Sequence, residues 1–215
     1  MHHVTGRDDW ARVRALRYES LSSRSDIAPR AERIHADPHD VALNSSTFLL
    51  LKHGRPIGST RATFSASQQR YSLPAYATFG HELASAIGAD ASAVEASLTV
   101  ADPQVAGDRR TVVLHLLKAH MVVCAMERAD WLVAAVRDDE IGFYRRMLNM
   151  EILSGVERCP GMATPQVLMG LQYREHAALL FGRIPVLAVS TSDEKEYTAT
   201  GCVRFANEAQ RERAA

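Results

Sequence analysis

Glu95 is the only acidic residue in an alternating apolar stretch, Val94-Glu95-Ala96-Ser97-Leu98-Thr99-Val100. A carboxylate facing a cleft is desolvated. Its pKa rises, and it becomes able to take a proton from a nucleophile. A carboxylate facing outward is only a solvated strand residue, and strand parity leaves both readings open. A second group is Arg17, Asp37, Asp40 and Arg61. Two carboxylates three residues apart need cationic partners, and the two arginines can supply them. Such a network either orders an N-terminal lid over a substrate channel or stabilises the surface of the fold. A third group is Arg109 and Arg110, which end the turn-rich loop from Asp102 to Arg110, just before a long apolar-faced segment. A helix starting there aims free N–H groups and a partial positive charge at the loop, a setting that holds phosphates. The same pattern also fits an ordinary strand-to-helix connection. Tyr144 lies in Phe143-Tyr144-Arg145-Arg146-Met147-Leu148-Asn149-Met150-Glu151, and by periodicity alone it is a packing residue.

Other chemistries find no support. The nine histidines form no ligand cluster, and Pro38 interrupts the His35–His39 spacing, so no metal site is expected. Cys124, Cys159 and Cys202 are odd in number and widely spaced, which points to a reducing compartment rather than a disulfide framework. No Gly-x-Ser-x-Gly occurs, and no cysteine has an evident base partner. Lys+Arg and Asp+Glu are both 25, which gives no sign of a nucleic-acid partner. The N-terminus lacks an apolar signal region, and no window approaches a transmembrane span. A cytoplasmic protein is expected.

The elements that must position these residues can be read from the periodicity. Asp8 to Leu21 reads as a helix and Arg30 to Ala36 as a short one. Ser46 to Lys52 and Ile57 to Phe64 form a hairpin around His53-Gly54. A helix lies around His81 to Ile87, a strand at Val94 to Val100, and the longest helix at Thr111 to Arg128. Trp131 to Val136 is an apolar run suited to a strand buried on both faces. Asp138 to Met147 is helical, and strands follow at Met150 to Val156 and Gln166 to Tyr173. Beyond residue 174 the pattern suggests a short helix, an apolar strand (Pro185 to Ser190) and a polar end. Interleaved strands and helices indicate an α/β or α+β fold with a mixed sheet. With 215 residues, 47% hydrophobic, one domain over residues 1–180 with a C-terminal extension over 181–215 is expected.

Two motifs together resemble the GNAT superfamily. Gln104-Val-Ala-Gly107-Asp-Arg109 looks like its pyrophosphate loop, with Arg109 in place of the final small residue. The Phe143 to Glu151 segment resembles its Phe-Tyr-x-x-x-Gly-Phe stretch, with one extra residue and Asn149-Met150 replacing Gly-Phe. The resemblance covers about residues 46 to 173. The N-terminal half narrows it. Arg14-x-x-Arg17-Tyr18, Asp37-Pro-His-Asp40, Gly58-Ser-Thr-Arg61 and Glu95-Ala-Ser97 resemble, in order, motifs of acyl-homoserine lactone synthases and of the related N-acyl amino acid synthases. Leu98 stands where the lactone synthases have arginine, which disfavours lactone formation. The C-terminal half looks closer to the N-acyl amino acid synthases.

The resemblance implies a mixed, mostly antiparallel central sheet flanked by helices, whose fourth and fifth strands splay apart. It implies an N-acyltransferase that moves a long-chain acyl group from acyl carrier protein or coenzyme A to the amine of an amino acid. That acyl-phosphopantetheine donor is a co-substrate, with no tightly bound cofactor. In this scheme Gln104, Gly107, Arg109 and Arg110 bind the donor. Glu95 is the base, and Tyr144 donates a proton to the leaving thiolate. Three alternatives are an acyl-homoserine lactone synthase, an acetyl-coenzyme A-dependent N-acetyltransferase and a catalytically silent GNAT-like binding module.

Overall fold

The computed structural model of the chain describes residues 1–66, 69, 72–88, 90–105 and 109–203. Its elements are β1 (His2–His3), α1 (Arg7–Ser23), β2 (Ser45–Lys52), β3 (Arg55–Ser65), α2 (Tyr76–Ile87) and β4 (Ala93–Ala101). They continue with α3 (Arg109–Met126), β5 (Trp131–Arg137), α4 (Ile141–Leu148), β6 (Glu151–Glu157), β7 (Gln166–Gln172), α5 (Tyr173–Arg183) and α6 (Thr191–Thr200). The strands form one seven-stranded sheet in the order β1-β2-β3-β4-β5-β7-β6. Every neighbouring pair is antiparallel except β4 and β5. That parallel pair needs a crossover, and α3 supplies it. The mixed, mostly antiparallel sheet with helices around it is the architecture expected from the GNAT resemblance.

Successive residues of β3 show how the sheet divides the molecule. The Thr60 side chain reaches His120 on α3, whereas Arg61 reaches Asp37 and Asp40, beside α1. Strand side chains alternate between faces, so α3 and α1 cover opposite sides of β3. Apolar spacing explains each helix. Val13, Leu16 and Leu21 of α1 are buried with Leu49 and Val100. On α3, Leu117, Met121, Val122 and Cys124 are buried against Phe48, Ala62, Val94 and Ala96. Phe79, Leu83 and Ile87 of α2 pack with Val133 and Leu168. Gly58 lets β3 approach α3 closely, since a Cβ there would meet the Val112 side chain at 2.8 Å.

Two expectations differ from the structure, and one strand was not foreseen. Residues 30–36 contain no helix. Instead Asp37 opens a 3-10 turn, Pro38–Val41, with a reciprocal capping box to Asp40. Residues 185–190 are not a strand, since Pro185–Leu187 forms a 3-10 turn. The two-residue β1 was not legible, because its pairing with Leu49 and Phe48 is long-range and leaves no local pattern. Leu187 and Val203 are fully buried in the same cluster as the sheet residues. No helix among the described residues is long and apolar enough to cross a membrane.

Candidate active site

The centre of the molecule is where β4 and β5 part. They pair only at Ala93–Trp131, Val94–Leu132 and Glu95–Val133. Beyond Glu95 the strands diverge around a cleft of about 440 Å³. The register of β3 against β4 also slips there, from Arg61–Ser97 to Ser59–Val100. Leu98 sits at the slip with φ 49°, a left-handed conformation that costs a non-glycine residue roughly 1–2 kcal/mol. This bulge places Ser97, Leu98 and Thr99 together along the cleft wall.

Glu95 lies at the fork and lines the cleft, which decides between the two readings of the strand. It is 2% exposed, and its Oε2 accepts a hydrogen bond from the Ala75 N–H at 2.8 Å. Burial raises its pKa from 4.5 to about 7, against the lowering effects of that N–H and of the Arg61 charge. A group with that pKa can both hold and release a proton near neutrality.

Arg17, Asp37, Asp40 and Arg61 are brought together. Arg17 Nη1 donates to both carboxylate oxygens of Asp40, at 2.7 and 2.9 Å. Arg61 Nη1 donates to Asp37 at 2.6 Å and to Asp40 at 3.2 Å, and its Nε donates to Ser97 Oγ at 3.1 Å. Arg17, Arg61 and Asp40 are buried. For Asp37, burial acts to raise the pKa, but the Arg61 charge and hydrogen bond outweigh it and the net shift is downward. The network ties α1, the 3-10 turn, β3 and β4 into one wall, and Asp37 and Arg61 line the cleft.

Tyr144 projects from α4, is buried and lines the same cleft. Burial first, then the nearby Glu140 carboxylate, pushes its phenol pKa up, so it stays protonated. The helix ends at Asn149, in the left-handed conformation (φ 56°) that favours glycine or asparagine. This accounts for asparagine where the GNAT pattern has glycine.

Sequence reasoning missed a second ionic cluster on the cleft. Arg24 donates to Asp26 and to Glu140, each at 2.7 Å, and Arg137 donates to Asp26 at 2.7 Å. Thr164 Oγ1 donates to the same Asp26 oxygen at 3.0 Å. Arg24, Arg137 and Glu140 line the cleft. These residues span 140 positions and share no motif. The available signal was the charged run Arg137-Asp138-Asp139-Glu140 at the C-terminal end of a buried strand, where α/β sheets place their ligands.

The loop residues stand at the edge of this arrangement. Gln104 is exposed; its Oε1 accepts from Arg55 Nη2 at 2.9 Å, and its N–H donates to Asp102 at 2.9 Å. Gly107 lies outside the described residues. Arg109 and Arg110 open α3 and are exposed. The Arg109 pKa is lowered first by partial shielding and then by the Arg24 charge, while Glu140 opposes the shift. Arg109 therefore shares the field of the cleft cluster. No group of three or more potential metal ligands occurs among the described residues.

This geometry can be set beside known proteins. A family described as "N-acyl amino acid synthase FeeM" matches residues 12–172. The solved structure of FeeM, an N-acyl amino acid synthase from uncultured soil microbes, superposes with a TM-score of 0.67 at 13% identity, covering 82% of this chain and 91% of that one. The coenzyme A-dependent acyl-homoserine lactone synthase BjaI gives 0.57 at 17% identity, covering 83% of each chain. The acyl-homoserine lactone synthase LasI gives 0.58 at 15%, covering 83% and 90%. No curated protein matches the chain. At these identities the structures speak for the fold, and the family match speaks for the chemistry: the chain belongs to the FeeM N-acyl amino acid synthase family and is an N-acyltransferase.

Proposed function

We propose that the protein acylates the α-amine of an amino acid with a long-chain acyl group carried as a phosphopantetheine thioester, on acyl carrier protein or coenzyme A. The observation that carries this reading is Glu95, buried where β4 and β5 part and with its pKa raised to about 7. An amino-acid amine is mostly protonated at neutral pH, and it must lose a proton before it can attack. Glu95 takes that proton, directly or through one water. The amine nitrogen then bonds to the thioester carbonyl carbon, and the C–S bond breaks as the carbonyl reforms. The Tyr144 phenol gives its proton to the departing thiolate and is reprotonated by the second proton, which the attacking nitrogen sheds as it becomes an amide, while Glu95 returns its own proton to solvent. The products are an amide and a free thiol, with no acyl-enzyme intermediate and no resident metal or prosthetic group. Gln104, Gly107, Arg109 and Arg110 serve the phosphate end of the donor. The network of Arg17, Asp37, Asp40 and Arg61 holds the N-terminal segment over the acyl channel.

The acyltransferase unit is assigned to residues 1–180, with residues 181–215 as an extension. The enzyme is read as cytoplasmic, with no nucleic-acid partner. Lactone formation is disfavoured because Leu98 offers no charge at its place on the cleft. Mass spectrometry of organic extracts from an overexpressing host tests the reading. An accumulated N-acyl amino acid supports it and names both substrates. A homoserine lactone or an N-acetylated amine as the accumulated product overturns it.

A further inference from the structure

His120 is fully buried on α3, and the reaction scheme above gives it no task. Its Nε2 lies 3.1 Å from the Arg61 carbonyl oxygen and 3.0 Å from Thr60 Oγ1. A carbonyl oxygen only accepts, so Nε2 carries the ring proton. Its Nδ1 is buried and makes no hydrogen bond among the described residues, as suits a bare lone pair. Burial lowers the ring pKa to about 4, which keeps it neutral with that tautomer. Thr60 Oγ1 therefore accepts from His120, and its own proton is directed elsewhere. Thr99 Oγ1, at 2.7 Å, is the acceptor within reach. With Thr99 accepting from Thr60, the Thr99 hydroxyl proton is left to point away from both. Thr99 lines the cleft one residue past the Leu98 bulge, on the open stretch of β4.

We infer that the Thr99 hydroxyl is a hydrogen-bond donor to the thioester carbonyl oxygen as it becomes an oxyanion, and that His120 and Thr60 are positioning residues that fix the direction of its proton. This rests on reading the cleft as the acyl-transfer site. A donor pre-aimed at developing negative charge acts mainly in the transition state, and loss of one such donor costs on the order of 10²-fold in kcat or more. Glu95 and Tyr144 handle protons on the amine and the sulfur, so the carbonyl oxygen is the reacting atom still without a side-chain partner.

The test uses the purified full chain with an acyl thioester, on coenzyme A and on acyl carrier protein, and the amino acid that the wild type accepts. Thr99→Val keeps the shape and removes the hydroxyl. It should lower kcat about 100-fold or more with KM for either substrate changed less than about threefold, and Thr99→Ser should restore most of the rate. Thr60→Val should lower kcat by a smaller factor, and Thr60→Val/Thr99→Val should be no slower than Thr99→Val alone, because Thr60 acts through Thr99. A merely structural role would instead make the two losses multiply. A wild type that turns over normally, with Thr99→Val within twofold of it or with multiplying losses, overturns this inference alone. A wild type that makes no amide from any donor overturns the reading of the cleft as well.

Discussion

At the scale of single residues, the chemistry rests on Glu95, and two predictions belong to it. Glu95→Gln preserves size and the bond from Ala75 but cannot take a proton. Its kcat at pH 7 should fall ~10²- to 10⁴-fold, with partial recovery at high pH where the amine is already deprotonated. A pH–rate profile with saturating donor checks this, and near-wild-type kcat at pH 7 would make Glu95 structural. The second prediction concerns stability. The folded pKa of Glu95, about 7, lies above the unfolded 4.5. The folded state therefore holds the proton more tightly, and its contribution is fully present below pH 4.5 and lost as pH rises through 7. At about 1.4 kcal/mol per unit, the stability of Glu95→Gln relative to wild type should improve by roughly 3 kcal/mol between pH 4 and pH 8. Denaturant unfolding at both pH values measures it, and a difference that does not change with pH would contradict the burial account. The identity of Glu95 as a candidate was legible in the sequence, but its direction was not. A strand's period of two separates its faces without saying which one meets a cleft.

Elements place these residues, and their termini and irregularities matter more than their lengths. Asp40 ties α1 to β3 through Arg17 and Arg61, all three buried. Asp40→Ala would leave the Arg17 guanidinium without a carboxylate, which should destabilise the fold by about 3–5 kcal/mol. Thermal or denaturant unfolding tests this, and a loss under 1 kcal/mol would show the network to be dispensable. At the start of α3, replacing Arg109 and Arg110 with alanine should raise KM for the acyl donor several-fold and leave the melting temperature unchanged. Unchanged donor affinity would place phosphate binding elsewhere. The hairpin β2–β3 and helices α1 and α3 were readable because their own side chains carry the period. The bulge at Leu98 was not, since leucine gives no hint of a left-handed backbone and only the neighbouring strand imposes it. The cluster of Arg24, Asp26, Arg137 and Glu140 was equally hidden, because folding rather than spacing assembles it.

Across the whole molecule, one sheet does two jobs. Its antiparallel half, β1 to β4, is a continuous platform on which α1 and α3 pack from opposite sides. Its single parallel junction, β4 to β5, opens after three paired residues and creates the cleft. The order of elements made this architecture legible from the sequence, because a strand, a long helix and a buried strand in succession require a crossover. The packing of Leu187 and Val203 into the shared core was not legible, since the last forty residues carry weak periodicity. At this opening, in the function proposed above, an acyl thioester is joined to an amino-acid amine. The most direct measurement incubates the purified protein with a long-chain acyl thioester and a mixture of amino acids. Free thiol is followed by colour and products by mass spectrometry. An N-acyl amino acid should form one-to-one with released thiol, at a rate that collapses in Glu95→Gln. Thiol release without amide, or amide formation unaffected by Glu95→Gln, would contradict the proposed function.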